Sequence, residues 1–194
     1  MNKRKSLTPY LLVVAIVLVL ALWLGGTYNG LVQKDSLVQT RFADVEAQYQ
    51  RRFDLIPNVV STVEGSAAFE QDTLQAVTEA RSAWARAGAA RDMDGQVAAA
   101  GVFDSALTRL LVTVEAYPVI QSTQAFRDLM TELEGTENRI AVARRDYNQA
   151  VNTYNVAVRR VPSNIVAALF GFDAHEFFAA VENAEAAPSV EFEL

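Results

Sequence analysis

Apolar residues recur at Leu31, Val38, Phe42, Val45, Tyr49 and Ile56, at spacings of three, four and seven. This is the stripe of a helix that buries one face. It runs into Arg51-Arg52-Phe53-Asp54-Leu55-Ile56-Pro57-Asn58. Pro57 has no N–H to give a helix interior and biases the residue before it away from helical geometry. The pattern therefore predicts a chain reversal at Arg51, Arg52, Asp54 and Pro57, about 30 Å along the helix that starts at Leu31. A second stripe follows at Val60, Val63, Ala67, Glu70, Leu74, Val77, Arg81 and Trp84, alternating three and four as in a heptad seam. It fades through the small residues 85–90. A third helix is predicted from Asp92 or Asp94 through Val97, Ala100, Phe103, Leu107, Leu110, Leu111 and Val114, and Tyr117-Pro118 stops it. A fourth, capped by Ser122 or Thr123, presents Phe126, Met130, Leu133, Glu137, Ile140, Arg144, Tyr147, Val151, Tyr154 and Val158 before Pro162 ends it. Ser163 is then placed to cap a short apolar helix from Ile165 to Phe170. Four long helices joined by short turns predict an all-α, up-and-down antiparallel four-helix bundle.

The start of the chain has a different pattern. Lys3, Arg4 and Lys5 are followed by an uncharged run from Ser6 to Gln33, nearly all aliphatic between Tyr10 and Leu24. This is long enough to span a bilayer, with Tyr10 at one interface and Trp23 and Tyr28 at the other. A cleaved signal peptide shares the basic start and apolar core, but no Ala-x-Ala site follows. The expected organisation is a basic tail at 1–6, a membrane anchor at 7–27, the bundle with its short C-terminal helix at 28–181, and an acidic tail at 182–194. Gly25, Gly26 and Gly30 read as a soft joint after the anchor. The basic residues before the span favour a cytoplasmic N-terminus with the bundle outside.

Composition narrows the chemistry. With no cysteine and one histidine, His175, thiolate metal sites and multi-imidazole sites are excluded. No metal or cofactor is expected. A net charge of −6 argues against nucleic-acid binding by the domain as a whole.

Three sets of residues stand out. Glu70, Arg81, Glu115, Glu137 and Arg144 are charges in or near the apolar registers, and they predict a buried network that neutralises itself across helices. Paired carboxylates can do acid–base work, but no nucleophile–base pair accompanies these. Arg51, Arg52 and Asp54 read as salt bridges at the predicted turn. Ile165, Leu169, Phe170, Phe172, Phe177 and Phe178 form an apolar C-terminal segment, either a flap over the bundle end or a surface for a partner, a second copy or a membrane. His175 reads as a surface residue. Asn29, Asn148 and Asn155 each follow a tyrosine, as expected of caps or helix–helix hydrogen bonds.

These residues carry a family resemblance. Tyr28-Asn29-Gly30-Leu31-Val32, the run from Gln50 to Val60, Glu79-Ala80-Arg81 and Glu115-Ala116-Tyr117-Pro118 resemble the LemA family. So do Glu134 to Asn148 with Tyr154-Asn155, and Ala168-Leu169-Phe170-Gly171-Phe172. Phe42, Val161 and Glu64-Gly65-Ser66 depart from the family's usual residues. The resemblance implies a single-pass bacterial membrane protein with a helical-bundle domain and no established catalytic residues. A magnetosome-associated membrane protein among the family's members implies a part in membrane organisation or assembly. The expected function is that of a non-enzymatic interaction or scaffold protein, anchored in the inner membrane through residues 7–27 and bound to a membrane protein or to its own copies. The alternative is a sensor domain that takes a ligand between its helices.

Overall fold

A computed structural model describes residues 8–64 and 71–179. They form helices and connecting segments, with no strand among them. In chain order the helices are α1 (Thr8–Glu64), α2 (Gln71–Ala89), α3 (Met93–Val114), α4 (Pro118–Gln121), α5 (Gln124–Arg159) and α6 (Ser163–Phe170). The chain divides into two compact units. One comprises Met1–Arg41 with Gln149–His175, the other Phe42–Asn148 with Glu176–Leu194. Both α1 and α5 contribute to each.

The main correction to the sequence reading concerns α1. It is one helix of 57 residues with Pro57 inside it, so no reversal occurs at Arg51, Arg52, Asp54 and Pro57. Proline removes one backbone hydrogen bond and costs a helix interior about 3 kcal/mol. Here Phe53, Ile56 and Val59 are all buried, so the apolar face continues through the proline. Burying a side chain of this size contributes roughly 1.5–3 kcal/mol, enough for three of them to outweigh the local penalty. Pro57 itself is exposed. The glycine joint is also absent: α1 is helical through Gly25, Gly26 and Gly30, and the expected boundary at 27–28 lies inside it. The predicted tails at 1–6 and 182–194 lie outside the described residues.

In the larger unit, α1, α2, α3 and α5 share one core. Its centre is aromatic: Tyr49 stacks on Trp84 with ring centroids 4.6 Å apart, Phe53 meets Phe103 edge-on at 4.7 Å, and Phe42 meets Tyr147 at 5.6 Å. Asp92 caps α3, its Oδ1 accepting from the Gly95 N–H at 2.8 Å, which decides between the two expected starting points. Tyr117-Pro118 ends the α3 region as predicted, Pro118 opening the short α4. Thr123 Oγ1 accepts from the Phe126 N–H and starts α5. The predicted seams are off by one position on both α2 and α5. On α2, Ala80 is buried beside Leu74, Val77 and Trp84, and Arg81 is only half-buried; on α5, Thr136 is buried and Glu137 is not. α3 is apolar enough to cross a membrane by composition, but its Val97, Ala100, Phe103, Leu107, Leu110 and Val114 are buried in this core.

In the smaller unit, Val166 and Ala167 of α6 pack on Leu31 of α1, with Leu24, Ala157, Val158 and Phe172 around them. Ser163 does not cap α6 as expected. It is the first helical residue, and its Oγ lies 2.6 Å from Ala157 O and 2.8 Å from Arg160 O. Gly171 ends α6 at a φ of 73°, the left-handed conformation glycine adopts without strain, and the Phe172 N–H donates back to Ala167 O at 3.0 Å.

Candidate functional site

Two polar arrangements stand out from the apolar packing. The first lies in the larger unit, between α1, α3 and α5. Arg52 is 2% exposed. Its Nη1 donates to Asp104 Oδ1 at 3.1 Å, and its Nη2 donates to Glu137 Oε2. Arg144 Nη2 donates to Asp104 Oδ2 and to the Tyr49 hydroxyl, which in turn donates to Asp104 Oδ2 at 3.0 Å. The Arg144 guanidinium also lies over the Tyr49 ring at 5.3 Å and the Phe178 ring at 5.0 Å. Aromatic faces of this kind stabilise a cation that has lost its water. Burial pushes the Asp104 carboxyl up to about 7; Arg52 pulls against it and Glu137 adds to it. Burial lowers Arg144 to about 10, which still leaves it a cation at neutral pH. Two guanidiniums face two carboxyl groups, so the set balances its own charge once Asp104 is ionised.

The structure sorts the expected charge cluster. Arg144 belongs to this network. Glu137 reaches Arg52 from a side chain that is 61% exposed. Glu115 is exposed just past the end of α3, and Arg81 is half-buried on α2, so neither is the buried charge that the registers imply. Glu70 lies outside the described residues. Arg52, expected at a turn, is instead the most deeply buried charge of the network. Arg51 and Asp54 are exposed on α1, with Asp54 Oδ1 accepting from Gln50 Nε2 at 2.9 Å. The sequence reading missed Asp104 and Tyr49. The available signal was Asp104 alone amid the apolar middle of α3, Gly101-Val102-Phe103-Asp104-Ser105-Ala106-Leu107. A groove lined by Ala76, Ala83, Gly101 and Ser105 reaches Asp104 and Arg144; Arg144 Nη2 already engages Asp104, while its buried Nε has no hydrogen-bond partner among the described residues. Among the described residues no group of three or more histidine, cysteine or acidic side chains is arranged to hold a metal ion.

The second arrangement is a pair of asparagine clamps on α5, each holding the backbone of the non-helical segment after α6. In the smaller unit, Asn155 Nδ2 donates to His175 O at 2.9 Å, and the His175 N–H donates to Asn155 Oδ1 at 3.0 Å. The His175 ring lies 4.8 Å from the Tyr154 ring, and its Nε2 is 2.7 Å from Asp35 Oδ1. His175 is thus half-buried and bonded on three sides rather than a surface residue. Burial, with Asp35 and Asp173 nearby, pushes the Tyr154 hydroxyl up to about 12. In the larger unit, Asn148 Nδ2 donates to Phe178 O at 2.9 Å, and the Phe178 N–H donates to Asn148 Oδ1 at 3.0 Å. The Tyr147 hydroxyl donates to Glu176 O at 3.0 Å, and burial, with Asp94 and Glu176 nearby, pushes its pKa upward. The two asparagines, seven residues apart on α5, do the same job twice.

The clamp chemistry makes a specific prediction. Asn155→Asp keeps the shape but turns the donor into a second acceptor facing His175 O. Each lost hydrogen bond costs about 0.5–1.5 kcal/mol, and an unpaired buried group costs more. Asn155→Asp is therefore expected to destabilise the chain by at least as much as Asn155→Ala in urea unfolding. An aspartate variant as stable as the parent would show that the amide donor is not in use.

The C-terminal apolar residues divide. Ile165, Leu169, Phe170 and Phe177 are exposed, Phe172 is half-buried, and Phe178 is buried. Phe178 stacks on Phe42 at 6.4 Å and meets Tyr147 edge-on at 5.2 Å, so it is a core residue and not part of a partner surface.

Magnetosome protein MamQ 2 of Paramagnetospirillum magneticum is 32% identical over an alignment covering 78% of this chain and 64% of the relative. MamQ of Magnetospirillum gryphiswaldense is 29% identical with the same coverage. Protein LemA of Metamycoplasma hominis is 24% identical over 73% of this chain and 64% of its own length. The chain thus spans under two thirds of the length of these curated relatives. The family model for LemA matches residues 41–192, a range that holds Arg52, Asp104, Glu137, Arg144 and both clamps, and the chain belongs to the LemA family.

Proposed function

We propose that this protein is a membrane-anchored, non-enzymatic interaction protein of the LemA type, with a part in membrane organisation or assembly. The observation that carries the reading is the first part of α1, where Leu11, Val14, Leu18 and Leu22 and their apolar neighbours are all exposed. Exposed aliphatic side chains around a whole helix are stable in lipid and not in water. From Tyr10 to Tyr28 the helix rises about 27 Å, close to the roughly 30 Å of a bilayer core. In this reading the chain crosses a bacterial inner membrane once, with its N-terminus in the cytoplasm. α1, α2, α3 and α5 form an up-and-down four-helix bundle on the other side. The self-balanced charges around Arg52 and Arg144 then serve to set helix register. The likeness to proteins named for the magnetosome supports the assembly part of the reading.

The test uses the full chain in cells. It is expected to stay with membranes through an alkaline carbonate wash, and photo-cross-linking is expected to trap it in a species heavier than one chain. Release by carbonate overturns the anchor. A strict monomer in mild detergent that cross-links to nothing overturns the interaction role.

A further inference from the structure

We infer that α6 is a second membrane contact, lying in the headgroup layer beside the point where α1 leaves the bilayer. The inference rests on the anchor proposed above and is built within the smaller unit. α6 is amphipathic. Val166 and Ala167 are buried against Leu31, with Leu24 beside them. The opposite face, Asn164, Ile165, Ala168 and Leu169, is exposed. Leu169 is 69% exposed, and Val161, in the turn just before α6, is 73% exposed. A water-facing surface has no use for this row.

Its position gives it one. The Phe170 ring packs on Tyr28 with centroids 4.9 Å apart, and Phe172 meets the same ring at 5.6 Å. Tyr28 ends the apolar run of α1; the first charge after it is Lys34. Tyrosine and tryptophan prefer the membrane–water boundary, so Trp23 and Tyr28 mark that depth on α1. α6 is fastened at this depth by the Phe170–Tyr28 contact and by the packing of Val166 and Ala167 on Leu31. Interfacial helices bury their apolar face about 5–10 Å into the headgroup–acyl boundary and carry basic residues on their flanks. Arg159 and Arg160, both exposed, immediately precede Val161. Their long side chains can reach anionic headgroups while the apolar row dips beneath them. The occupant of this surface is therefore an anionic bilayer.

The chain contains no cysteine, so single labels can be introduced without other changes. Full-length Leu169→Cys, Val17→Cys and Val112→Cys are labelled with an environment-sensitive fluorophore. They are reconstituted into phosphatidylethanolamine–phosphatidylglycerol vesicles containing lipids spin-labelled at a shallow or a deep acyl position. The label at 169 is expected to lose most of its emission to the shallow quencher, the label at 17 to the deep one, and the label at 112, exposed on α3, to neither. A label at 169 as unquenched as that at 112, with 17 deeply quenched, overturns the α6 contact and leaves the anchor standing. A label at 17 that neither quencher reaches overturns the anchor, and the α6 contact with it.

Discussion

Arg52→Met is expected to destabilise the chain by about 3 kcal/mol, the lower end of what removing one partner from a buried ion pair costs. Methionine fills much of the arginine's volume, so the loss is electrostatic and not a cavity. Glu137, largely exposed, can turn to water. Asp104 cannot do so as freely and keeps only Arg144 and Tyr49. Burial already holds Asp104 at about 7, well above an unfolded aspartate. A carboxyl raised in this way contributes stability that is fully present below the unfolded pKa, near 4, and is lost as pH rises through 7. Without Arg52 the folded pKa climbs further and the loss extends to higher pH. The cost of Arg52→Met should therefore be larger at pH 8 than at pH 6. Urea unfolding at the two pH values measures the effect. A cost that does not change with pH would sink this account of the network.

Phe178→Ala is expected to cost about 3 kcal/mol, the low end for a buried phenylalanine. The side chain touches Phe42 and Tyr147 and covers the Arg144 guanidinium, so its removal opens a cavity and uncovers a cation together. The cost cannot exceed the free energy that docks the segment from Glu176 onward, because the chain can release that segment and keep the rest of its core. Hydrogen exchange is the discriminating measurement. The Phe178 N–H, held by Asn148 Oδ1, should lose most of its protection, while amides in the middle of α3 keep theirs. Equal loss in both places would mean that Phe178 supports the whole unit.

The helical class and several boundaries could be read from local signals. Asp92 is a short acceptor ahead of an apolar period, and Tyr117-Pro118 stops a helix by a rule that needs no tertiary context. Pro57 and the glycines obey the same local rules and were misread, because continuity of a buried face decides the outcome there. The burial registers slipped at a choice that spacing leaves open. The buried face of α5 keeps a seven-residue repeat through Phe126, Leu133, Ile140, Tyr147 and Tyr154, but the position between two of these can be filled by the third or the fourth residue along. Taking the fourth selects Arg81 and Glu137 where Ala80 and Thr136 are buried. The charge network was half legible. Glu137 and Arg144 sit close enough to the predicted seam to draw notice. Asp104 and Tyr49 become polar partners only once α1, α3 and α5 are packed, and no spacing within one helix encodes that. The tyrosine–asparagine echo was visible as a repeat, but its meaning lay in a segment without a period of its own.

That echo has a consequence for how the C-terminal segment can change. A primary amide offers one donor and one acceptor side by side, as a peptide unit does along the edge of a sheet. At Asn148 and Asn155, α5 therefore presents a helix surface that reads backbone and is indifferent to side-chain identity. The chain held there is free to vary at Ala174 and Phe177, whose side chains are exposed. Substitution is constrained where a ring is also gripped, at His175 between Tyr154 and Asp35 and at Phe178 over Arg144.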